Sequence, residues 1–130
     1  MFPTLFVLLY LAHLLADYPF QTDHQAGHKA ASGAVGWRAN LAHAGTHVAF
    51  CSLALAVAAA VLDESAGLLP STAAVLWIGA THAAIDRRRL VVRWMKLAHQ
   101  QEWAERGGAA HVDQTAHILA LTVAALYLAA

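Results

Sequence analysis

Four stretches of the chain are almost wholly apolar: residues 2–18, 40–62, 72–86 and 112–130. The first is mostly Leu, Phe, Val and Ala until His13, and the second is interrupted only by His43, Thr46, His47 and Ser52. The second and fourth are apolar on every side over most of their length, whereas a helix of a soluble bundle alternates faces. A helix of roughly 15 to 23 residues covers about 22 to 34 Å, against a hydrocarbon core of about 30 Å. The pattern therefore predicts an all-α fold, an integral membrane four-helix bundle forming a single transmembrane domain over residues 1–130. The third span is short and would need a thinned bilayer or snorkelling of Arg87, Arg88 and Arg89. The first is expected to be a retained helix rather than a signal peptide. No basic residue precedes its apolar run, and it ends on His13 and Asp17.

The connections set the orientation. Lys29 and Arg38 lie between the first two spans, and Arg87, Arg88, Arg89, Arg93, Lys96 and Arg106 between the last two. The middle connection carries Asp63 and Glu64 with no basic residue. By the positive-inside rule the first and third connections face the cytoplasm and both termini lie outside. The third connection also predicts an interfacial helix. Val91, Trp94, Met95 and Ala98 fall on one side, with Arg89, Arg93 and Lys96 turned away. Trp37, Trp94 and Trp103 fit an interfacial aromatic belt.

Composition narrows the function. Hydrophobic residues make up 59% of the chain and charged ones 12%, about half the usual charged share, which excludes intrinsic disorder. A formal net charge of zero leaves no field to attract nucleic acid. Cys51 is the single cysteine, so no intramolecular disulfide exists, and it reads as a packing residue.

Nine histidines in so apolar a chain point to chemistry, and their spacing says where. His13 and Asp17, His43 and His47, His82 and Asp86, and Asp113 and His117 are each four residues apart, one pair per span. At that spacing two side chains share a helix face, roughly 6 Å apart. Random placement of the His and Asp residues gives about 1.5 such pairs; these four are present, with His24 and His28 a fifth. Alternating chain direction puts all four pairs at one depth, near the cytoplasmic face. An unpartnered Asp costs roughly 2.5 to 3.5 kcal/mol at the bilayer centre, so Asp17, Asp86 and Asp113 need partners. Histidine and carboxylate converging from four helices form a ligand set for a divalent metal, with zinc the first choice and manganese or iron next. Eight groups exceed the needs of one ion, so one or two ions are expected. With two, three carboxylates would leave about one positive charge for an anionic ligand.

Further residues could support this centre. Gln21 falls on the face of His13 if the helix continues past Pro19, and Asn40, Thr46, Thr81 and Gln114 could orient ligands. Lys29, Arg38, Arg87, Arg88 and Arg89 are candidates for an anionic headgroup or phosphate, or simply set orientation. His24, His28, His99 and His111 lie in connections and are not expected to ligate.

The run from His13 through Asp17, Tyr18 and Gln21, the His43/His47 pair, Thr81-His82 with Ile85-Asp86, and Asp113-Gln114 with His117 together resemble a bacterial and phage family of small multi-pass membrane proteins, a domain of unknown function. The resemblance spans nearly the whole chain and implies a multi-pass protein of the bacterial cytoplasmic membrane. In motif style the chain is also similar to inner-membrane metal-dependent hydrolases. That likeness implies a hydrolase with all eight paired residues around the metal.

The expected function is a metal-dependent hydrolase acting on a phosphoester or ester, of a lipid or a small molecule. Metal would acidify water and polarise the bond, with Asp17 or Asp86 as general base. No other nucleophile presents itself: the chain has no Gly-x-Ser-x-Gly turn, His-Glu-x-x-His helix or phosphate-binding glycine loop. Two alternatives use the same residues. One is proton or metal-ion transport through the polar cluster; the other is electron transfer through a haem held by histidines. Gly45 and Ala49 would permit close helix approach in a homodimer.

Overall fold

The computed structural model describes residues 1–130, and every regular element in it is helical. The elements are α1 (Phe2–Asp17), α2 (Asp23–His28), α3 (Gly33–Val61), α4 (Leu68–Asp86), α5 (Arg89–Leu97), α6 (Gln101–Trp103) and α7 (Ala109–Ala129). A wide turn at Ala104–Gly108 links α6 to α7, with Gly107 at φ 94°. The four long helices pack in cyclic order, α1 on α3, α3 on α4, α4 on α7 and α7 back on α1.

Local chemistry accounts for the boundaries. Pro3 lies in the first turn of α1, where its missing N–H costs nothing. The helix stops at Asp17, because Pro19 follows and disfavours helical backbone before it. Thr22 caps α2 through a reciprocal capping box with Gln25. Two helices begin earlier than the apolar pattern predicts. Residues 33–39 contain no proline, and Gly36 is tolerated where the helix packs closely on the Ala31 carbonyl, so α3 runs two turns further toward its N-terminus. Pro70 is tolerated in the first turn of α4, which starts at Leu68 instead of residue 72. The 19 residues of α4 cover about 28 Å, so thinning of the bilayer is not needed. Gly33–Val61, Leu68–Asp86 and the segment Gln101–Ala129 are long and apolar enough to cross a membrane; Phe2–Asp17 is a shorter apolar helix.

Each long helix turns one stripe inward. From α1 these are Leu5, Leu9, Ala12, His13 and Ala16, and α7 contributes His117, Leu121, Ala124, Ala125 and Leu128. Away from the histidines the interior is apolar, filled by Leu5, Leu9, Cys51, Ile78, Leu121 and Leu128 with alanines and Val75 between them. The outward stripes are equally apolar: Val7, Leu11, Leu53, Leu76, Leu119 and Val123 are all exposed. So much exposed aliphatic surface suits lipid, not water.

In α5, Val91 and Met95 pack on Ile85 and on Ala109, Val112 and Ala116 at the start of α7. Trp94, expected on that inner side, is exposed with Leu90 and Leu97. These three lie at i, i+4 and i+7, on a stripe beside the buried one.

Close approach of α3 and α4 depends on Gly79. A Cβ there would lie 2.6 Å from Val48 Cγ2. Gly79→Ala is expected to destabilise the protein by about 1–3 kcal/mol through overpacking. Adding Val48→Ala should restore much of the loss, and thermal melts of the two variants in mild detergent check both expectations. By contrast Gly45 has nothing within 4 Å of its added Cβ and lies with Ala49 on the outer surface.

Candidate metal centre

Chain direction alternates around the ring, so residues ending α1 and α4 meet residues early in α3 and α7. His13 and Asp17, His43 and His47, His82 and Asp86, and Asp113 and His117 all come together at one end. All five of these histidines and Asp86 are buried. The rings crowd closely. His47 and His82 stack at 3.5 Å between centroids, His82 and His117 at 4.2 Å, and His13 lies 5.1 Å from His47.

Two carboxylates organise the cluster. Asp17 Oδ1 lies 3.1 Å from His43 Nε2 and 3.2 Å from His47 Nε2. Its Oδ2 lies 3.2 Å from His13 Nε2 and accepts from Gln114 Nε2 at 3.1 Å. Asp86 Oδ2 lies 3.2 Å from His82 Nε2 and 3.5 Å from His43 Nε2, and its Oδ1 is 3.6 Å from His117 Nε2. Two sets offer ligand atoms within 4.8 Å of one another: Asp17, His43, His47 and His82, then His82, Asp86 and His117. His82 belongs to both.

The donor atoms pass a test of fit. His82 Nε2, Asp86 Oδ2 and His117 Nε2 are buried, and although His82 Nε2 lies 3.2 Å from Asp86 Oδ2, none of the three is aligned for a hydrogen bond. Buried polar atoms are normally paired, and leaving one unpaired costs about 1–3 kcal/mol. Imidazole nitrogens and a carboxylate oxygen converging in this way satisfy one another through a cation between them. The formal charge agrees. Three carboxylates with Lys29 leave the cluster at minus two when the imidazoles are neutral, which a single divalent ion balances.

Not every expected ligand falls in these sets. His13 lies outside both, holding Asp17 and Gln114 Oε1, the latter at 3.2 Å. Asp113 is also outside both sets. It stands at the rim, with 23% of its side chain exposed and Oδ2 3.4 Å from His117 Nε2.

Of the supporting residues, Gln114 and Gln21 contact the cluster. Gln21 reaches it by a different route from the expected one. The α1 helix does not continue past Pro19, so the turn after it folds back and brings Gln21 Nε2 to 2.8 Å from His43 Nε2. The other three are corrected. Asn40 Nδ2 donates to the Ala83 carbonyl and ties α3 to α4. The hydroxyls of Thr46 and Thr81 donate to carbonyls of their own helices, at Ala42 and Trp77. None of the three hydrogen-bonds an imidazole, and for the two threonines the reason is local, since in an apolar helix a hydroxyl finds its nearest acceptor one turn back.

Lys29, a candidate for anion binding, lies with Nζ 3.0 Å from Asp86 Oδ1 and 15% of its side chain exposed. That contact uses one of its three ammonium N–H groups, and the side chain lines the cavity at this end of the ring. Arg87 is occupied. Its Nη1 donates to the Lys29 carbonyl at 3.1 Å, and its guanidinium lies 4.7 Å over the Trp37 ring. Arg38, Arg88 and Arg89 are exposed and make no ion pair.

A cavity of about 470 Å³ opens at this end of the ring, lined by Gln21, Lys29, Asp86, Arg88, Val91 and Asp113 among others.

A family model described as a protein of unknown function (DUF3307) matches residues 5–130. No curated protein and no solved structure matches the chain.

Proposed function

The chain belongs to that family of unknown function, and we propose that it is a membrane-embedded, metal-dependent hydrolase of phosphoesters or esters. We read the four long helices as a four-helix bundle of the bacterial cytoplasmic membrane, with both termini outside and the metal centre on the cytoplasmic side. The observation that carries this is a buried His/Asp cluster with unpartnered ligand atoms, opening onto a polar cavity. Asp17, His43, His47, His82, Asp86 and His117 would hold one or two divalent ions, zinc before manganese or iron. A bound ion would supply a Lewis acid and water acidified to near neutrality.

The protein's own groups then divide the work. Asp17, taken up by three imidazoles and Gln114, fixes the ligands in place. Asp86 faces both the imidazoles and Lys29, which suits it to ligation more than to proton transfer. Neither Asp17 nor Asp86, the general-base candidates by sequence, is thus free for that role. Asp113 lines the cavity, stands outside both ligand sets and keeps contact with solvent, so it is the carboxylate free to take a proton from the attacking water.

The same features weigh against the alternatives. A transport path would need polar groups along the bundle, yet the interior beyond His13 is Leu, Ile, Ala and Cys51. Imidazoles stacked at 3.5 and 4.2 Å leave no plane for a porphyrin.

The test is metal content by mass spectrometry on protein purified in mild detergent without chelator, followed by turnover on a panel of phosphomonoesters, phosphodiesters and carboxylic esters. About one to two equivalents of metal, with turnover that disappears on chelation and returns on reconstitution, is the expected result. Metal without turnover on any of the three classes overturns the hydrolase reading.

A further inference from the structure

Beside the polar cavity lies a second depression of about 490 Å³, within the usual range for ligand sites. It runs between α5 and the start of α7, and all but two of its ten lining residues are hydrophobic. Leu90, Trp94 and Leu119 leave it open on the outer surface of the bundle, where a chain can enter sideways from the lipid. Trp94 and Trp103 line it, side chains favoured where a bilayer passes from hydrocarbon to headgroup.

The two spaces adjoin. Val91 lines both, Ile85 in the groove is followed by Asp86 in the cavity, and Val112 by Asp113. A molecule with its chain in the groove therefore has its head beside the metal ligands. The cavity wall carries two cations, Lys29 and Arg88, beside the carboxylates Asp86 and Asp113. Lys29 stands at Asp86, and the exposed Arg88 has no carboxylate within ion-pair distance. Arg88 is also one of three non-glycine residues at positive φ, 62°. The conformation is uncommon for an unbranched cationic residue, and here it forms the turn from α4 into α5 at the cavity wall.

Resting on the hydrolase reading, we propose that the substrate is an anionic amphiphile. Its acyl chain lies in the α5–α7 groove and its phosphate group is held by Lys29 and Arg88 at the mouth of the metal centre. Two cations on one phosphate favour it over an uncharged head by charge-assisted hydrogen bonding. The aliphatic groove accepts the chain without reading its sequence of carbons, so recognition falls on the head.

The experiment reads binding and needs no turnover. In a Trp37→Phe, Trp77→Phe background the remaining tryptophans are the two that line the groove. The protein is placed in nanodiscs of unbrominated lipid, and its fluorescence is followed on adding a lysophosphatidate with a dibrominated acyl chain. A monoacylglycerol with the same chain and inorganic phosphate alone are the comparisons, each with metal-loaded and chelator-treated protein. Quenching by the lysophosphatidate is expected at about tenfold lower concentration than by the monoacylglycerol, with none from inorganic phosphate. Arg88→Asn, which tolerates the positive φ, should shrink that preference, and Lys29→Gln with Arg88→Asn should abolish it. Thr115→Phe, an exposed position in the groove, should lower quenching by both amphiphiles. Equal quenching by the two amphiphiles, or a preference that survives loss of both cations, overturns the proposal. Selective quenching without turnover would instead count against the hydrolase alone.

Discussion

Alanine in place of His82 is expected to weaken metal binding at both ligand sets, because this imidazole is common to the two. Losing it leaves Asp17, His43 and His47 on one side, three ligands in place of four, and Asp86 with His117 on the other, too few for a four-coordinate ion even with one bound water. Affinity should fall more than about 100-fold, beyond the 10- to 100-fold typical of removing a group that only orients a ligand. His13→Ala is the comparison. It removes contacts to Asp17 and Gln114 but none of the two sets, so its loss should stay within the smaller range. Metal content after dialysis against a weak chelator separates the two. Similar retention in both variants would mean that the imidazoles bind as a loose pool and not as two defined sets.

Removing the Asp17 carboxylate should have the largest effect on stability. Its oxygens meet His13, His43, His47 and Gln114, and its side chain is only 6% exposed. Asp17→Ala leaves those groups without the carboxylate they share. Breaking a buried charged network in this way costs about 3–5 kcal/mol, or roughly 11–18 °C in the midpoint of a thermal melt for a chain of this size. Asp17→Asn keeps an acceptor oxygen but not the charge and should fall between the two. Thr46→Ala, whose hydroxyl bonds only its own helix, should stay within about 0.5 kcal/mol of the parent. A melt of Asp17→Ala that matches Thr46→Ala would show that the imidazoles do not depend on this carboxylate.

What could be read from the chain follows from which interactions are local. Hydropathy fixed the four long helices to within two turns, and the four-residue spacing fixed a shared face for each pair. Chain alternation then placed the pairs at one depth, since depth depends only on direction and position along a helix. Contacts that depend on how connections fold were not legible. Nothing near Lys29 in the sequence shows that α2 and the turn after it carry this side chain down to Asp86. Gln21 arrives by a turn and not along a helix face. One clue is local: three acids in an apolar setting require a cation, and Lys29 is the first one in the connection after Asp17. The roles of Thr46 and Thr81 also had a local answer, because a hydroxyl inside an apolar helix bonds one turn back. Asn40 had none, since its acceptor, the Ala83 carbonyl, lies on another helix.

The division of ligands among helices also sets an order of assembly. Asp17, His43, His47 and His82 lie on α1, α3 and α4, so this set is complete as soon as the ribosome has delivered the chain through α4. His117, needed for the second set, comes only with α7. Between them the ribosome makes α5, α6 and the wide turn, an interval in which a half-built protein already presents four converging ligands. A metal ion captured then would clamp the first three long helices together before the last one exists, and α7 would close over a centre already formed.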